Sequence, residues 1–132
     1  MKIVADTNLL VRAMVEDDAR QTRLARAELD AAETVALTTI ALCELVWVLR
    51  RGYRTPRPLV ADTLRRLISA ENISVDRQVV EAGLTELEAG GDFADGVIAF
   101  EGRWLGGEEF VSFDRQAVRR MRTRGAAARL LE

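Results

Sequence analysis

The sequence predicts one α/β domain over residues 1–132, built around a parallel sheet. Short strand-like runs alternate with helical patterns along the chain, which is typical of parallel strands joined by helices. With 48% hydrophobic and 30% charged residues, the composition suits an ordered globular domain. No apolar run approaches the ~20 residues that cross a membrane, and the N-terminal segment lacks a signal- or transit-peptide pattern. We therefore expect a cytoplasmic protein without membrane association.

The strand-like runs are, in chain order, "KIVA", "TVALT", "NISV" and "EFVSF", and the final "AARLL" could add an edge strand. Apolar residues at helical spacing fill the segments between these runs. The helical segments cover approximately 8–32 with a break near Glu16–Asp18, then 39–51, 56–70, 76–89, 93–105 and 115–124. Pro56 and Pro58 mark the start of the third segment, because proline is tolerated in a first helical turn. The "AGG" at 89–91 ends the fourth segment.

The residue types exclude several classes of enzyme. The chain has no histidine, which removes histidine general acids and bases, Ser-His-Asp triads and zinc sites of the usual type. Its one cysteine, Cys43, cannot form an internal disulfide, and the apolar residues around it favour a buried structural thiol. Any catalysis must therefore depend on carboxylates, hydroxyls, arginine or a hard metal ion.

The net charge is −2, so the chain is not a basic protein that coats nucleic acid non-specifically. Lys2 is the only lysine, and the arginines are concentrated in segments 50–66 and 115–129. Arginine clusters suit phosphate binding, but solvated helix faces have the same composition. Both interpretations stay open at this point.

Four acidic residues stand out by their positions. Asp6 directly follows "KIVA" and Asp114 directly follows "FVSF", so both acids end strand-like runs. Asp95 lies in the first turn of the helical run "FADGVIAF", and Glu44 is the only charge within "TTIALCELVWVL". Because ligands bind at the carboxyl ends of parallel strands, the four acids predict one shared site.

Each acid also has a purely structural explanation. Asp6, Asp95 and Asp114 can cap the helices that follow them. An unpaired carboxylate is costly to bury. Glu44 would therefore either reach an arginine or lie on a partly exposed helix.

Taken together, these residues resemble a known family. "ADTNLLVRAM", Glu44 in its apolar helix, "DFADGVIAF" and "VSFDRQAV", in that order, resemble the PIN domain, and specifically the VapC-type toxins of bacterial toxin–antitoxin pairs. The resemblance covers about residues 2–131, and it depends on the ordered set of four acids, since no single motif is specific. It implies a single-domain α/β/α sandwich with a central parallel sheet.

The resemblance also implies a metal-dependent endoribonuclease. The metal-binding and catalytic acids would be Asp6, Glu44, Asp95 and Asp114, and the ion Mg²⁺ or alternatively Mn²⁺. Asp6 and Asp95 would be direct ligands, and the other two acids would bind a second ion or orient the attacking water. In-line attack by this water would leave 5′-phosphate and 3′-hydroxyl ends.

Four further residues are candidates for supporting the site: Thr7, Asn8, Asp92 and Ser112. Thr7 matches the family's small hydroxyl residue after the first Asp, and Ser112 matches the Thr or Ser two residues before the last Asp. Asp92 is either a fifth site acid or the helix cap, and we favour the cap. Gly96 stands where members often have Ala, and we expect it to loosen the helix start without affecting the chemistry.

The resemblance further implies two protein partners, a VapB-like antitoxin that neutralises the toxin and a second copy of the chain in a homodimer. Trp47, Tyr53 and Trp104 are residue types that interfaces use. Core packing is nevertheless the expected role of both tryptophans.

Two other functions compete with RNA cleavage. Receiver domains and haloacid dehalogenase-like phosphatases also place acids at strand ends, but they need a lysine to balance phosphate charge, and the chain offers only Lys2. A PIN-like module that binds RNA or a partner without cleavage is the second alternative. The complete set of four acids argues against it.

Overall fold

The computed structural model describes residues 1–132, which form two compact units, Met1–Asp76 and Arg77–Glu132. The predicted fold class is confirmed, because the chain is helix-rich and contains a central parallel sheet of three strands, as in a PIN-like α/β/α fold. Every strand pair in both units is parallel. That residues 1–132 act as one domain stays a prediction.

The first unit contains the three-stranded sheet. Its strands are β1 (Lys2–Val4), β2 (Thr34–Ala36) and β3 (Ile73–Ser74), in that order across the sheet. Its helices are α1 (Thr7–Met14), α2 (Ala19–Ala31), α3 (Thr39–Trp47) and α4 (Arg57–Ser69), and a π-helical turn over Val48–Gly52 continues α3. Ile3 pairs with Val35, and Val35 pairs with Ile73. The predicted break in the first helical segment is confirmed by the gap between α1 and α2.

Polar side chains fix where three helices of this unit begin. The side chains of Asp6, Asp18 and Thr38 accept hydrogen bonds from free N–H groups in the first turns of α1, α2 and α3. These hydrogen bonds satisfy backbone N–H groups that have no acceptor within the helix. Because β1 and β2 are parallel, Asp6 and Thr38 follow strand ends at the same edge of the sheet.

The second unit contains the helices α5 (Arg77–Glu88), α6 (Phe93–Trp104) and α7 (Arg115–Thr123) and the strands β4 (Phe110–Ser112) and β5 (Ala128–Leu130). The strand β5 pairs in parallel with β4, so the edge strand expected from "AARLL" is confirmed. Gly90, with φ of 99°, follows the end of α5, where a residue without Cβ adopts the left-handed conformation without strain.

Three expectations about buried side chains are wrong. Trp47 and Trp104 are 63% and 75% exposed, so neither packs in the core. Cys43 is only partly buried. The core is instead filled by aliphatic residues and by one aromatic side chain, Phe93, which is 1% exposed.

No helix of the chain is both long and apolar enough to cross a membrane.

Candidate functional site

In the first unit, Asp6 lies between the end of β1 and the start of α1. Its Oδ1 accepts a hydrogen bond from the Leu9 N–H at 2.9 Å, so Asp6 caps α1. The carboxylate is exposed, and Oδ2 makes no hydrogen bond within the chain. Asp6 can therefore cap the helix with one oxygen and bind a ligand with the other. Thr7 and Asn8 follow in the first turn, and a supporting role for them stays a prediction.

Glu44 lies on an exposed stripe of α3. Ile40, Glu44 and Trp47 are all exposed at helical spacing, whereas Ala41 and Leu45 on the other side are buried. Glu44 forms no ion pair, so the exposed helix is the correct one of its two structural explanations. Its side chain is exposed to solvent.

In the second unit, Asp114 caps α7 directly after β4. Its Oδ1 accepts a hydrogen bond from the Ala117 N–H at 3.0 Å. The Ser112 Oγ accepts a hydrogen bond from the Asp114 N–H at 2.9 Å. Ser112 thus fixes the backbone that carries the Asp114 carboxylate, which agrees with a supporting role.

Asp92 and Asp95 lie at the start of α6. Asp92 occupies the capping position, and its carbonyl oxygen accepts a hydrogen bond from the Asp95 N–H at 3.0 Å. The Asp92 carboxylate makes no capping hydrogen bond, so the cap that we favoured from the sequence is present in the backbone only. This leaves the carboxylate of Asp92 available to the site.

The acids of the second unit interact through their charges. The pKa of Asp95 is raised, first because its carboxyl group is partly removed from water. The negative charges of Asp92, Glu86 and Asp114 raise this pKa further. The Arg120 guanidinium partly opposes them. A carboxylate under this repulsion is favourable for binding a cation.

Two glycines allow α5 and α6 to pack closely and so position Asp95. A Cβ on Gly83 would lie 2.5 Å from the Phe93 ring. A Cβ on Gly96 would overlap the Ala82 carbonyl oxygen and lie 2.9 Å from the Glu86 Cβ. Gly96 permits the close approach of α5. That it also loosens the helix start without affecting the chemistry stays a prediction.

Replacing Gly96 by alanine is expected to lower the free energy of unfolding by about 1–3 kcal/mol, the usual cost of overpacking. The added methyl group meets backbone atoms of α5, which cannot rotate away. Gly102→Ala on the same helix is the control, because its Cβ would meet nothing within 4 Å. Since alanine favours helix, Gly102→Ala should raise stability by about 0.5–1 kcal/mol. Urea unfolding of both variants checks this, and equal effects would contradict the packing argument.

Sequence reasoning missed Glu86, whose side chain is fully buried. Its Oε2 accepts a hydrogen bond from the Arg120 Nε at 2.6 Å, and its Oε1 accepts one from Arg124 Nη2. Both carboxylate oxygens are therefore paired with cations, one from α7 and one from the residue that follows it. The sequence contained a sign of this role. Glu86 follows Val79 and Gly83 at the spacing of the buried face of α5, and a charged residue is unexpected on such a face.

We call Glu86, Arg120 and Arg124 the Glu86 cluster. This cluster also contacts the loop that precedes α6 and its acids. A Cβ on Gly91 would overlap the Glu86 carboxylate and lie 2.6 Å from the Arg120 Nε. Gly91 precedes Asp92 directly. The buried ion pairs thus support the start of α6 as well as α7.

The chemistry of these side chains suits a hard cation, although no group of three or more acidic or cysteine side chains converges to hold a metal. Mg²⁺ prefers oxygen ligands, keeps several waters and needs only one or two carboxylates from a protein. Asp92, Asp95 and Asp114 supply such oxygens within the second unit, and Asp6 and Glu44 supply exposed carboxylates in the first. Within each unit, the chemistry of these oxygen donors therefore suits Mg²⁺ or Mn²⁺.

Comparisons with known proteins identify the family. No curated protein sequence matches the chain significantly. The family model of the PIN domain matches residues 3–122, which include all four candidate acids. Because this match covers most of the 132 residues, the chain belongs to the PIN domain family, whose members are generally nucleases.

Proposed function

We propose that this protein is a metal-dependent endoribonuclease of the VapC-like toxin type, which hydrolyses RNA phosphodiester bonds. Membership in a family of nucleases supports hydrolysis of nucleic acid. The observation that supports the proposal further is the placement of Asp92 and Asp95 at the start of α6 and of Asp114 at the start of α7. Partial burial and then the charges of the neighbouring carboxylates raise the pKa of Asp95. Such an arrangement is unfavourable in isolation and becomes favourable when a cation binds.

The proposed metal-binding and catalytic residues are Asp6, Glu44, Asp95 and Asp114. Mg²⁺ or Mn²⁺, when bound, would neutralise charge on the scissile phosphate and lower the pKa of a bound water. Asp6 and Asp95 are proposed as direct ligands. Glu44 and Asp114 are proposed to bind a second ion or to orient the attacking water.

The supporting residues hold these carboxylates in place. Ser112 fixes the backbone N–H of Asp114, and the capping bond from Ala117 holds the Asp114 Oδ1 at the start of α7. The second oxygen of each capping carboxylate remains available for water or an ion. Thr7 and Asn8 would support Asp6 rather than act as nucleophiles, since the chain has no histidine to act as their base.

Chelation of divalent ions is expected to abolish RNA cleavage by the purified protein, and added Mg²⁺ or Mn²⁺ should restore it. The reason is that the chain has no histidine, so we expect a bound metal ion to lower the pKa of the attacking water. Cleavage of a labelled single-stranded RNA with EDTA, and then with excess of either ion, measures this. Cleavage that survives complete chelation would contradict the metal mechanism. Binding of RNA and metal without any cleavage would favour the non-cleaving module.

The proposed partners are RNA, a VapB-like antitoxin and a second copy of the chain. The acidic residues of the candidate site favour an antitoxin that presents an Arg or Lys to it. The exposed side chains of Trp47 and Trp104 are of the type that protein interfaces bury. We propose the cytoplasm as the place of action, since RNA is the substrate.

A further inference from the structure

The arginines at the end of the chain divide into two groups. The sequence places six of them between residues 115 and 129. Arg120 and Arg124 bind the buried Glu86 carboxylate, and Arg129 binds Glu109 through its Nε at 2.9 Å. These three have acidic partners within the unit. The remaining three, Arg115, Arg119 and Arg122, have none.

The three remaining arginines lie on one face of α7. Their spacing of four and three residues places them side by side along the helix. Together with Val118, Thr123 and Leu130 they line a groove of about 360 Å³. No acidic residue lines this groove, and α7 itself, "RQAVRRMRT", contains no acid. We call Arg115, Arg119 and Arg122 the α7 arginine face.

No ion pair within the unit explains the positive charge of the α7 arginine face. The exposed side chains of Arg115 and Arg119 make no ion pair or hydrogen bond within the chain. Arg122 is fixed by a hydrogen bond from its Nε to the Ala128 carbonyl oxygen at 2.9 Å, and its terminal amino groups have no acidic partner. Three uncompensated guanidinium groups therefore line one open groove.

The α7 arginine face begins one residue after the proposed catalytic residue Asp114. The helix starts one residue after Asp114, so Arg115 is its direct neighbour in the chain. At 1.5 Å rise per residue, Arg119 lies about 6 Å and Arg122 about 10 Å further along the axis than Arg115. A nucleic-acid strand carries roughly one phosphate per 3.4 Å or more. The face is thus long enough to follow two or three successive phosphates.

We propose that the α7 arginine face binds the phosphate backbone of the RNA substrate on one side of the cleavage point. This proposal rests on the proposed ribonuclease function and names a substrate contact for it. The guanidinium fork matches phosphate oxygens in a bidentate geometry, and the positive groove complements the negative backbone. The contacts are made to the backbone, so they contribute affinity without selecting a sequence.

The test is RNA binding in EDTA, where cleavage is expected to stop, with a labelled single-stranded RNA over a range of salt concentrations. The double variant Arg115→Ala/Arg119→Ala is compared with Arg20→Ala/Arg23→Ala, which removes the same charge from exposed positions on α2. Loss of two phosphate contacts should make the slope of log affinity against log salt shallower by about 1.4. Affinity at low salt should fall by at least about tenfold. The control should show neither change, and both variants should keep the wild-type melting temperature.

The outcomes separate the two proposals. If the wild type binds and cleaves RNA while the α7 variant keeps the control's salt slope, the arginine face is not a phosphate site and the ribonuclease function stands. If the α7 variant instead loses binding only to an acidic protein partner, the groove is a protein interface and the inference is wrong. If the wild type neither binds RNA in EDTA nor cleaves it with Mg²⁺, both proposals fail.

Discussion

Asp95→Asn is expected to abolish RNA cleavage and, in the absence of metal, to make the protein more stable than the wild type. Cleavage should fall by more than about 100-fold, because even residues that only support metal ligands contribute 10–100-fold. Stability should rise because asparagine keeps the shape of the side chain but carries no charge. The repulsion from Asp92, Glu86 and Asp114 is then relieved.

The stability gain should depend on pH in a defined direction. The folded state raises the pKa of Asp95, so it binds the proton more tightly than the unfolded chain does. The wild type gains stability from this tighter proton binding. That gain is fully present below the unfolded pKa and is lost as the pH rises through the raised folded pKa. The difference between Asp95→Asn and wild type should therefore be absent at low pH and largest at neutral pH.

Thermal unfolding in EDTA at several pH values, and then with Mg²⁺, measures both effects. Glu101→Gln is the control, since it removes an exposed acid from the same helix. It should leave cleavage and the pH dependence unchanged. Added Mg²⁺ should raise the melting temperature of wild type more than that of Asp95→Asn, because a ligand stabilises only the state that binds it. Should the variant be less stable in EDTA at neutral pH and respond equally to Mg²⁺, Asp95 has a structural role and is not a metal ligand.

Glu86→Gln is expected to lower the free energy of unfolding by about 3 kcal/mol, the low end of the cost of breaking a buried ion pair. The substitution keeps the shape of the side chain but leaves Arg120 and Arg124 without a counter-charge. Those side chains are 20% and 27% exposed, so water cannot fully replace the carboxylate. Helix α7 would lose its main polar attachment to α5.

The chain contains a matched control for this prediction. Glu109 also pairs with an arginine, Arg129, but both side chains are largely exposed, at 41% and 54%. Exposed pairs contribute between zero and about 1 kcal/mol, so Glu109→Gln should have a small effect. Urea unfolding of the two variants at the same pH compares them directly. Equal losses would show that burial of the Glu86 cluster does not contribute to stability.

Much of the fold was predictable from local patterns. Apolar periodicity located the helices to within a few residues, and "AARLL" was recognised as the last strand. Residues that begin helices were also recognisable, since Asp6 and Asp114 precede helical runs and do cap them. These features depend on neighbours in the sequence, so the sequence alone is sufficient to find them.

The candidate site was predictable only in part. The order and spacing of the four acids indicated the PIN domain family, and the family match confirms this membership. The sequence did not reveal whether the Asp92 side chain caps α6. Aspartate, asparagine and serine can all cap a helix, but the residue type does not show which hydrogen bonds the side chain makes. The structure shows that its carboxylate makes no capping bond.

By itself, the sequence determined the α/β class and the family, because these depend on periodicity and on order along the chain. The assignment of the four acids to one site stays a prediction. Tertiary structure decided which charges are neutralised. Glu86 and Arg120 are 34 residues apart and meet only because α5 and α7 pack together. Burial then makes that pair necessary, since an unpaired charge away from water is costly. Arg115 and Arg119, which are identical to Arg120 in type, remain unpaired only because they lie on the outer face of the same helix.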